Sequence, residues 1–296
     1  MGFITRSFIV VSVFLFLASL NAKAKNIFYI NNQFANLFTF SNPSLTTAGS
    51  GKTLLYYGGP IIAEPKIQVV FWNDNVDPSV IGNISDFYIE YLKSPYMSWL
   101  TEYSTVGLKS VEGREGTNQI YKEGRWIGEV MLKPSTDKTN LNDQEIQAEI
   151  VKQIDLGTLP KPDENTVYMM HFPQNISIDM EGMKSCDAFG GYHYFFKNEK
   201  YGNIFYAVMP ECVYYGKGGI DFATQVSAHE LFEAVTDAMP TDSSSPAYPQ
   251  AWNNYQGYEI SDICGGAGKG SLQGAKRSYS IPKHWSNAKN SCILTY

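Results

Sequence analysis

Short runs of β-branched and aromatic residues alternate along this chain with longer segments of helical periodicity, and this order restricts the fold. The compact apolar runs, which are typical of buried strands, cover residues 67–72, 167–172, 192–196 and 204–209. Apolar residues at helical spacing cover residues 79–103, 143–154 and 221–237. Strands and helices mixed in this way predict an α+β fold with α/β-like layers, in which helices pack on a mixed β-sheet.

The composition is that of a soluble globular protein. Of its 296 residues, 44% are hydrophobic and 18% are charged, a balance that excludes intrinsic disorder. The net charge of -6 provides no broad cationic surface, so we expect no nucleic-acid partner. Residues 25–60 lack a clear period and are expected to form an extended N-terminal segment. We expect residues 61–296 to form a single catalytic-type α+β domain and the protein to be a monomer.

The first 24 residues have the organisation of a secretory signal peptide. Arg6 precedes an apolar run over residues 8–20, and Ala22-Lys23-Ala24 fits the small-x-small cleavage pattern. The apolar run is shorter than the roughly 20 residues that a membrane-spanning helix needs. We therefore expect a secreted protein without a membrane span, and an uncleaved anchor is the alternative.

The cysteines predict disulfides, because an exported chain meets an oxidising compartment. The chain has four of them, Cys186, Cys212, Cys264 and Cys292. Four cysteines allow three pairings. Sequence proximity favours pairing Cys186 with Cys212 and Cys264 with Cys292.

The segment with the most chemical information is 221–237, DFATQVSAHELFEAVTD. On a helix, its acidic residues and His229 fall on one side, opposite an apolar face. His229 and Glu233 are four residues apart, so both can reach one metal ion, and Glu230 is placed to act as the general base. The alternative is a solvated acidic helix face without a metal.

Further ligands must come from other parts of the chain. Glu259 and Asp262 are the best candidates, and Asp262 is alternatively placed to orient the imidazole of His229. Asp237 is expected to support the ligands without contacting the ion. His193 is a candidate catalytic residue that stabilises an oxyanion, with a buried structural histidine as the alternative. Zinc is the expected divalent metal, and the carboxylate-rich ligand set leaves calcium and manganese open.

These residues resemble a family of secreted bacterial proteins with the pattern S-x-HExxEAxTD…W…EIxDxC. The matching segments here are residues 227–237, 251–252 and 259–264, and the match extends upstream to residue 167 and to the C-terminus, over roughly the last 130 residues. The family is loosely similar to plant exordium-like extracellular proteins. The resemblance implies that His229, Glu230, Glu233, Asp237, Glu259 and Asp262 act as one unit.

The helix also resembles a divergent version of the active-site helix of the zincin metallopeptidases that use a glutamate ligand. Here Glu233 stands where those enzymes have the second histidine of HExxH, and Asp262 follows Glu259 by three positions rather than four. The resemblance implies a zincin-like active-site helix and a peptide or protein substrate. We therefore expect a secreted, peptidase-like, metal-dependent hydrolase that uses a metal-activated water. The alternative is a secreted, non-enzymatic binding or host-interaction protein whose HExxE helix is structural.

Overall fold

The computed structural model describes residues 27–29, 51–213, 218–241 and 245–296, the first of these ranges by its backbone alone. The expected signal peptide, 1–24, and most of the expected extended segment, 25–60, lie outside the described residues. The α-helices are α1 (Pro78–Lys93), α2 (Pro95–Ser98), α3 (Asp143–Asp155) and α4 (Gly219–Thr236). Two 3₁₀ helices cover Trp99–Tyr103 and Asp262–Cys264.

The strands of the described residues are short except at the centre of the fold. In chain order they are β1 (Ile27–Tyr29), β2 (Leu55–Tyr56), β3 (Lys66–Phe71), β4 (Arg125–Met131), β5 (Asn140–Asn142), β6 (Thr166–Phe172), β7 (Ser177–Met180), β8 (Met183–Lys184), β9 (Phe189–Asn198), β10 (Gly202–Pro210), β11 (Trp252–Asn253), β12 (Lys269–Gln273), β13 (Ser278–Pro282), β14 (His284–Ser286) and β15 (Ser291–Ile293).

The central sheet is mixed, so the predicted α+β fold with a mixed sheet is confirmed. Its strand order is β1-β9-β10-β6-β3-β4. The pairs β10/β6, β6/β3 and β3/β4 are parallel, whereas β9 is antiparallel to both β10 and β1. Every residue of β6 is buried, which is the pattern of a central strand covered on both faces.

Helices cover both faces of this sheet. Val69 belongs to the hydrophobic core that contains residues of α1 and α4, and its neighbour Val70 belongs to a second core that contains residues of α3. Successive side chains of a strand point to opposite faces, so these two cores identify the two sides of the sheet. Helices α1 and α4 therefore lie on one face and α3 lies on the other.

Local sequence signals explain the ends of the helices. Asn142 caps α3 by accepting a hydrogen bond from the Glu145 amide, and Glu145 completes a capping box. The single helix expected over 79–103 was wrong, because α1 ends before Pro95 and the chain continues as α2 and a 3₁₀ helix. Proline disfavours helical geometry in the residue before it, and Ser94 accordingly has extended backbone angles.

Two disulfides tie the loops around the sheet together. Cys186 is bonded to Cys212 and Cys264 to Cys292, the pairing favoured by sequence proximity. The second disulfide anchors the 3₁₀ helix that begins at Asp262 to β15. The two disulfides indicate an oxidising, extracellular environment. None of the helices in the described ranges has the length and apolar character needed to cross a bilayer.

Candidate metal centre

The helix that carries HExxE is enclosed by the rest of the fold. Helix α4 packs against α1, β9, β10 and β13. The side chains of Glu230, Glu233 and Asp237 are fully buried, and His229 is 5% exposed. The alternative of a solvated acidic face is therefore wrong, because strands and loops cover the side of the helix that periodicity alone left open to water.

The first group of potential ligands surrounds the Oε1 atom of Glu233. His229 Nε2 lies 3.0 Å from Glu233 Oε1 and 3.5 Å from Asp262 Oδ1. The amide of Asp262 donates to Glu233 Oε1 at 3.1 Å, and the hydroxyl of Ser261 donates to the carbonyl of His229 at 3.1 Å. These hydrogen bonds attach the 3₁₀ segment to α4 and place Asp262 beside the His229 imidazole.

A second group of potential ligands surrounds the Oε2 atom of Glu233. His193, on β9, places its Nδ1 atom 3.5 Å from Glu230 Oε2 and 3.8 Å from Glu233 Oε2. On the opposite side of its ring, His193 Nε2 lies 3.2 Å from the carbonyl oxygen of Asp237. A carbonyl oxygen only accepts hydrogen bonds, so Nε2 carries the proton and Nδ1 presents its lone pair to the two carboxylates.

Glu259 and Asp237 lie beside the second group. Glu259 Oε1 is 3.5 Å from His193 Nε2, so the structure places this carboxylate near His193 and not in the group formed by His229 and Asp262. Asp237 accepts hydrogen bonds from the Ala251 amide at 2.7 Å and from the Asn253 side chain at 2.6 Å. Its carboxylate is thus occupied by the loop that follows α4, while its backbone carbonyl orients His193.

The cluster buries more acceptor atoms than its own residues can satisfy. Within the described chain, no well-formed hydrogen bond reaches either carboxylate oxygen of Glu230 or of Glu259, Glu233 Oε2 or His193 Nδ1. The His193 backbone amide interacts with Glu230, and the Asp237 carboxyl interacts with Glu259, only weakly. Folded proteins pair nearly all buried polar atoms, and an unpaired buried charge is especially costly. Cations, protons or buried water molecules must therefore satisfy these atoms.

Burial changes the proton affinities of these groups. It raises the pKa of Glu233 to about 7, with a further contribution from the negative charge of Asp262, and raises that of Asp237 to about 6. The pKa values of Glu230 and Glu259 are raised well above 4.5, mainly by burial. Strongly perturbed carboxylates in one cluster are a feature of functional sites.

The pKa values of the two histidines shift in opposite directions. Burial lowers the pKa of His193 to about 3, so its imidazole is neutral. Burial also lowers the pKa of His229, but the negative charge of Glu233 and the hydrogen bond with Asp262 outweigh this effect and raise it well above 6.5. A divalent ion beside His229 would compete with this proton.

The buried histidine and carboxylate groups could hold a metal ion. In each of the two groups, His229/Glu233/Asp262 and His193/Glu230/Glu233, the potential ligand atoms lie within 4.8 Å of one another. Imidazole nitrogens and carboxylate oxygens are ligands for zinc and manganese, and carboxylates are ligands for calcium. The donor set fits a divalent ion.

His284 was not among the site residues expected from the sequence. Its Nδ1 atom lies 2.9 Å from the Ser261 hydroxyl, its Nε2 atom lies 3.3 Å from the Tyr91 hydroxyl, and its ring stacks on Phe232 at 3.6 Å. Ser261 in turn contacts the backbone of His229, so His284 supports the segment behind that residue. No local pattern around His284 indicates this role, because all its partners come from distant parts of the chain.

Gly191 makes room for the Glu230 carboxylate, and its replacement by alanine tests that packing. An added Cβ would lie 2.4 Å from Val226 Cγ1 and 3.1 Å from Glu230 Oε1. We expect Gly191→Ala to destabilise the protein by about 1–3 kcal/mol, the usual cost of overpacking a core. Denaturant unfolding would measure the change. Gly82→Ala is the matched control, because an added Cβ there has nothing within 4 Å, and an equal loss in both variants would contradict the prediction.

Comparison with protein-family models, curated proteins and solved structures finds no match for this chain. The family resemblance noted from the sequence stays a prediction.

Proposed function

We propose that this protein is a secreted metal-dependent hydrolase, peptidase-like in its chemistry, whose centre is the buried cluster on α4. The observation that supports the proposal best is the set of buried carboxylate oxygens without partners around two histidines. A divalent ion would compensate this negative charge. Export is supported by the signal-like sequence at 1–24 and by the two disulfides.

The first ion position in this proposal is formed by His229, Glu233 and Asp262. An ion held there would lower the pKa of a water and polarise a substrate carbonyl. Zinc is the proposed metal because imidazole and carboxylate ligands suit it, with manganese and calcium as the alternatives. Beside a single ion, Glu230 is the proposed general base, since its pKa is raised and both its oxygens lack partners in the described chain.

The test of this function is the variant Glu230→Gln. The amide keeps the size of the side chain but cannot take a proton, so we expect at least a 100-fold loss of hydrolysis, the usual contribution of a general base. The assay would incubate metal-loaded protein with a library of quenched fluorescent peptides. The ion held by His229, Glu233 and Asp262 should remain bound, as measured by elemental analysis.

Asp221→Asn is the matched control, because Asp221 is on the same helix but its side chain is 61% exposed. It should hydrolyse peptides like the wild type. Equal activity of Glu230→Gln and the wild type would contradict the role of Glu230. An absence of hydrolysis with zinc, manganese and calcium in the wild type would contradict the proposed function.

The second candidate function is a secreted binding protein in which the ion is structural. The observation that favours it is the complete burial of Glu230, Glu233 and Glu259, which is typical of closed structural metal sites. The segment between α4 and Glu259 also exposes three tyrosines that offer a contact surface, Tyr248, Tyr255 and Tyr258. A metal-loaded protein that is stabilised by its ion but cleaves no peptide would support this function.

A further inference from the structure

We propose that the cluster holds two divalent ions, with Glu233 bridging them. The first position is the one formed by His229, Glu233 Oε1 and Asp262. The second is formed by His193 Nδ1, Glu230 and Glu233 Oε2. The inference rests on the proposed metal centre and adds to it a second ion and a different role for Glu230.

The two oxygens of Glu233 face different partners. Oε1 is within 3.0 Å of His229 Nε2 and accepts a hydrogen bond from the Asp262 amide. Oε2 has no hydrogen-bond partner in the described chain and faces His193. A carboxylate whose oxygens point into two separate ligand groups is the arrangement that bridges two metals, which in such centres lie about 3.5–4 Å apart.

The orientation of His193 is the strongest support for the second position. Its Nε2–H group donates to the carbonyl of Asp237, which leaves the lone pair of Nδ1 directed at Glu230 and Glu233. A lone pair directed at two buried carboxylates is repulsive unless a proton or a metal ion lies between them. Metal-bound histidines commonly donate their other nitrogen to a carbonyl or carboxylate in this way.

An ion at the His229 group alone would not satisfy this second set of atoms. Both oxygens of Glu230 and Nδ1 of His193 would still lack partners, although both residues are at least 99% buried. In the two-ion centre Glu230 is a ligand of the second ion. Glu259 lies on the Nε2 side of His193, away from the atoms of the second position, and is assigned to neither ion.

The test counts bound ions in the purified protein. The protein would be stripped with a chelator, reloaded with Mn²⁺, and examined by native mass spectrometry and electron paramagnetic resonance. Two variants remove one nitrogen ligand each while keeping a similar shape. His193→Gln can still donate to the Asp237 carbonyl but lacks Nδ1, and His229→Asn lacks Nε2.

We expect two Mn²⁺ per wild-type chain with an exchange-coupled spectrum, and one Mn²⁺ with an uncoupled spectrum in each variant. One ion in the wild type that is lost in His229→Asn and kept in His193→Gln would overturn the second position and leave the proposed function intact. One ion that is lost in both variants would mean a single shared position and would also overturn the inference. No bound Mn²⁺, Zn²⁺ or Ca²⁺ would contradict the proposed function itself.

The wild-type measurement decides the question even if a variant fails to fold. Circular dichroism would establish folding of each variant before its ions are counted. A wild-type count of two with a coupled spectrum supports the inference without the variants, and a count of one overturns it.

Discussion

Removing divalent ions is expected to lower the thermal unfolding midpoint strongly at pH 8 and very little at pH 5. The reason is that the metal-free cluster must bury ionised carboxylates at pH 8 but can bury protonated ones at pH 5. This pH dependence is opposite to that of most proteins, in which carboxylates that are ion-paired or hydrogen-bonded in the folded state make it less stable in acid.

The sign of this pH dependence follows from the raised pKa values of the buried carboxyl groups. Glu233 titrates at about 7 in the folded, metal-free protein and at about 4.5 when unfolded, so the folded state binds the extra proton between these values. The contribution of protonated Glu233 to the stability of the metal-free protein is therefore fully present below about pH 4.5 and is lost as the pH rises through 7. The difference corresponds to about 3 kcal/mol for Glu233, because each pKa unit is worth about 1.4 kcal/mol.

Two other groups also make the metal-free protein less stable as the pH rises. Asp237, with a pKa raised from 3.8 to about 6, loses its proton over a slightly lower range. His229 has a raised pKa, so its stabilising positive charge is present at low pH and is lost as the pH rises. A bound ion removes this dependence, because it compensates the ionised carboxylates at high pH and is displaced by protons at low pH.

The measurement is thermal unfolding by circular dichroism from pH 5 to pH 8.5, with a chelator and with saturating Zn²⁺. The two curves should converge towards pH 5 and separate towards pH 8. Asp221→Asn should show the wild-type behaviour, because its carboxylate lies outside the cluster. A metal-free protein that is least stable at pH 5 would contradict the prediction.

Glu233→Gln is expected to abolish metal binding and, at the same time, to stabilise the metal-free protein. The amide oxygen can still accept from the Asp262 amide, which now donates to Oε1 at 3.1 Å. The buried negative charge is removed, so the penalty of about 3 kcal/mol associated with Glu233 at pH 8 disappears. Proteins often keep such destabilising groups where function requires them.

Loss of ions should be complete in this variant because Glu233 belongs to both ligand groups. Addition of Zn²⁺ or Mn²⁺ should no longer raise the unfolding midpoint, whereas the wild type should gain about 3 kcal/mol at 100 times the dissociation constant. Denaturant unfolding at pH 8, with and without the ion, would measure both effects. Wild-type stabilisation by metal in Glu233→Gln would exclude this residue as a ligand, and a less stable metal-free variant would contradict the electrostatic argument.

The sequence by itself determined the local structure. The apolar runs became the strands β3, β6, β9 and β10, and the Asn142 cap opens α3. The spacing of His229 and Glu233 placed their side chains in contact, because residues four apart on a helix are neighbours whatever surrounds the helix. Sequence proximity also favoured the disulfide pairing that the structure contains.

Only the tertiary structure decided what the acidic side of α4 faces. Periodicity fixes the direction of a side chain around the helix axis but carries no information about which distant element packs there. The packing of β9 against α4 brings His193 to Glu230 across 37 positions of sequence, and the segment after Asp237 brings Glu259 to His193 and Asp262 to His229. The burial of these groups, and with it the need for cations, protons or buried water, follows from that packing and not from the spacing of the residues.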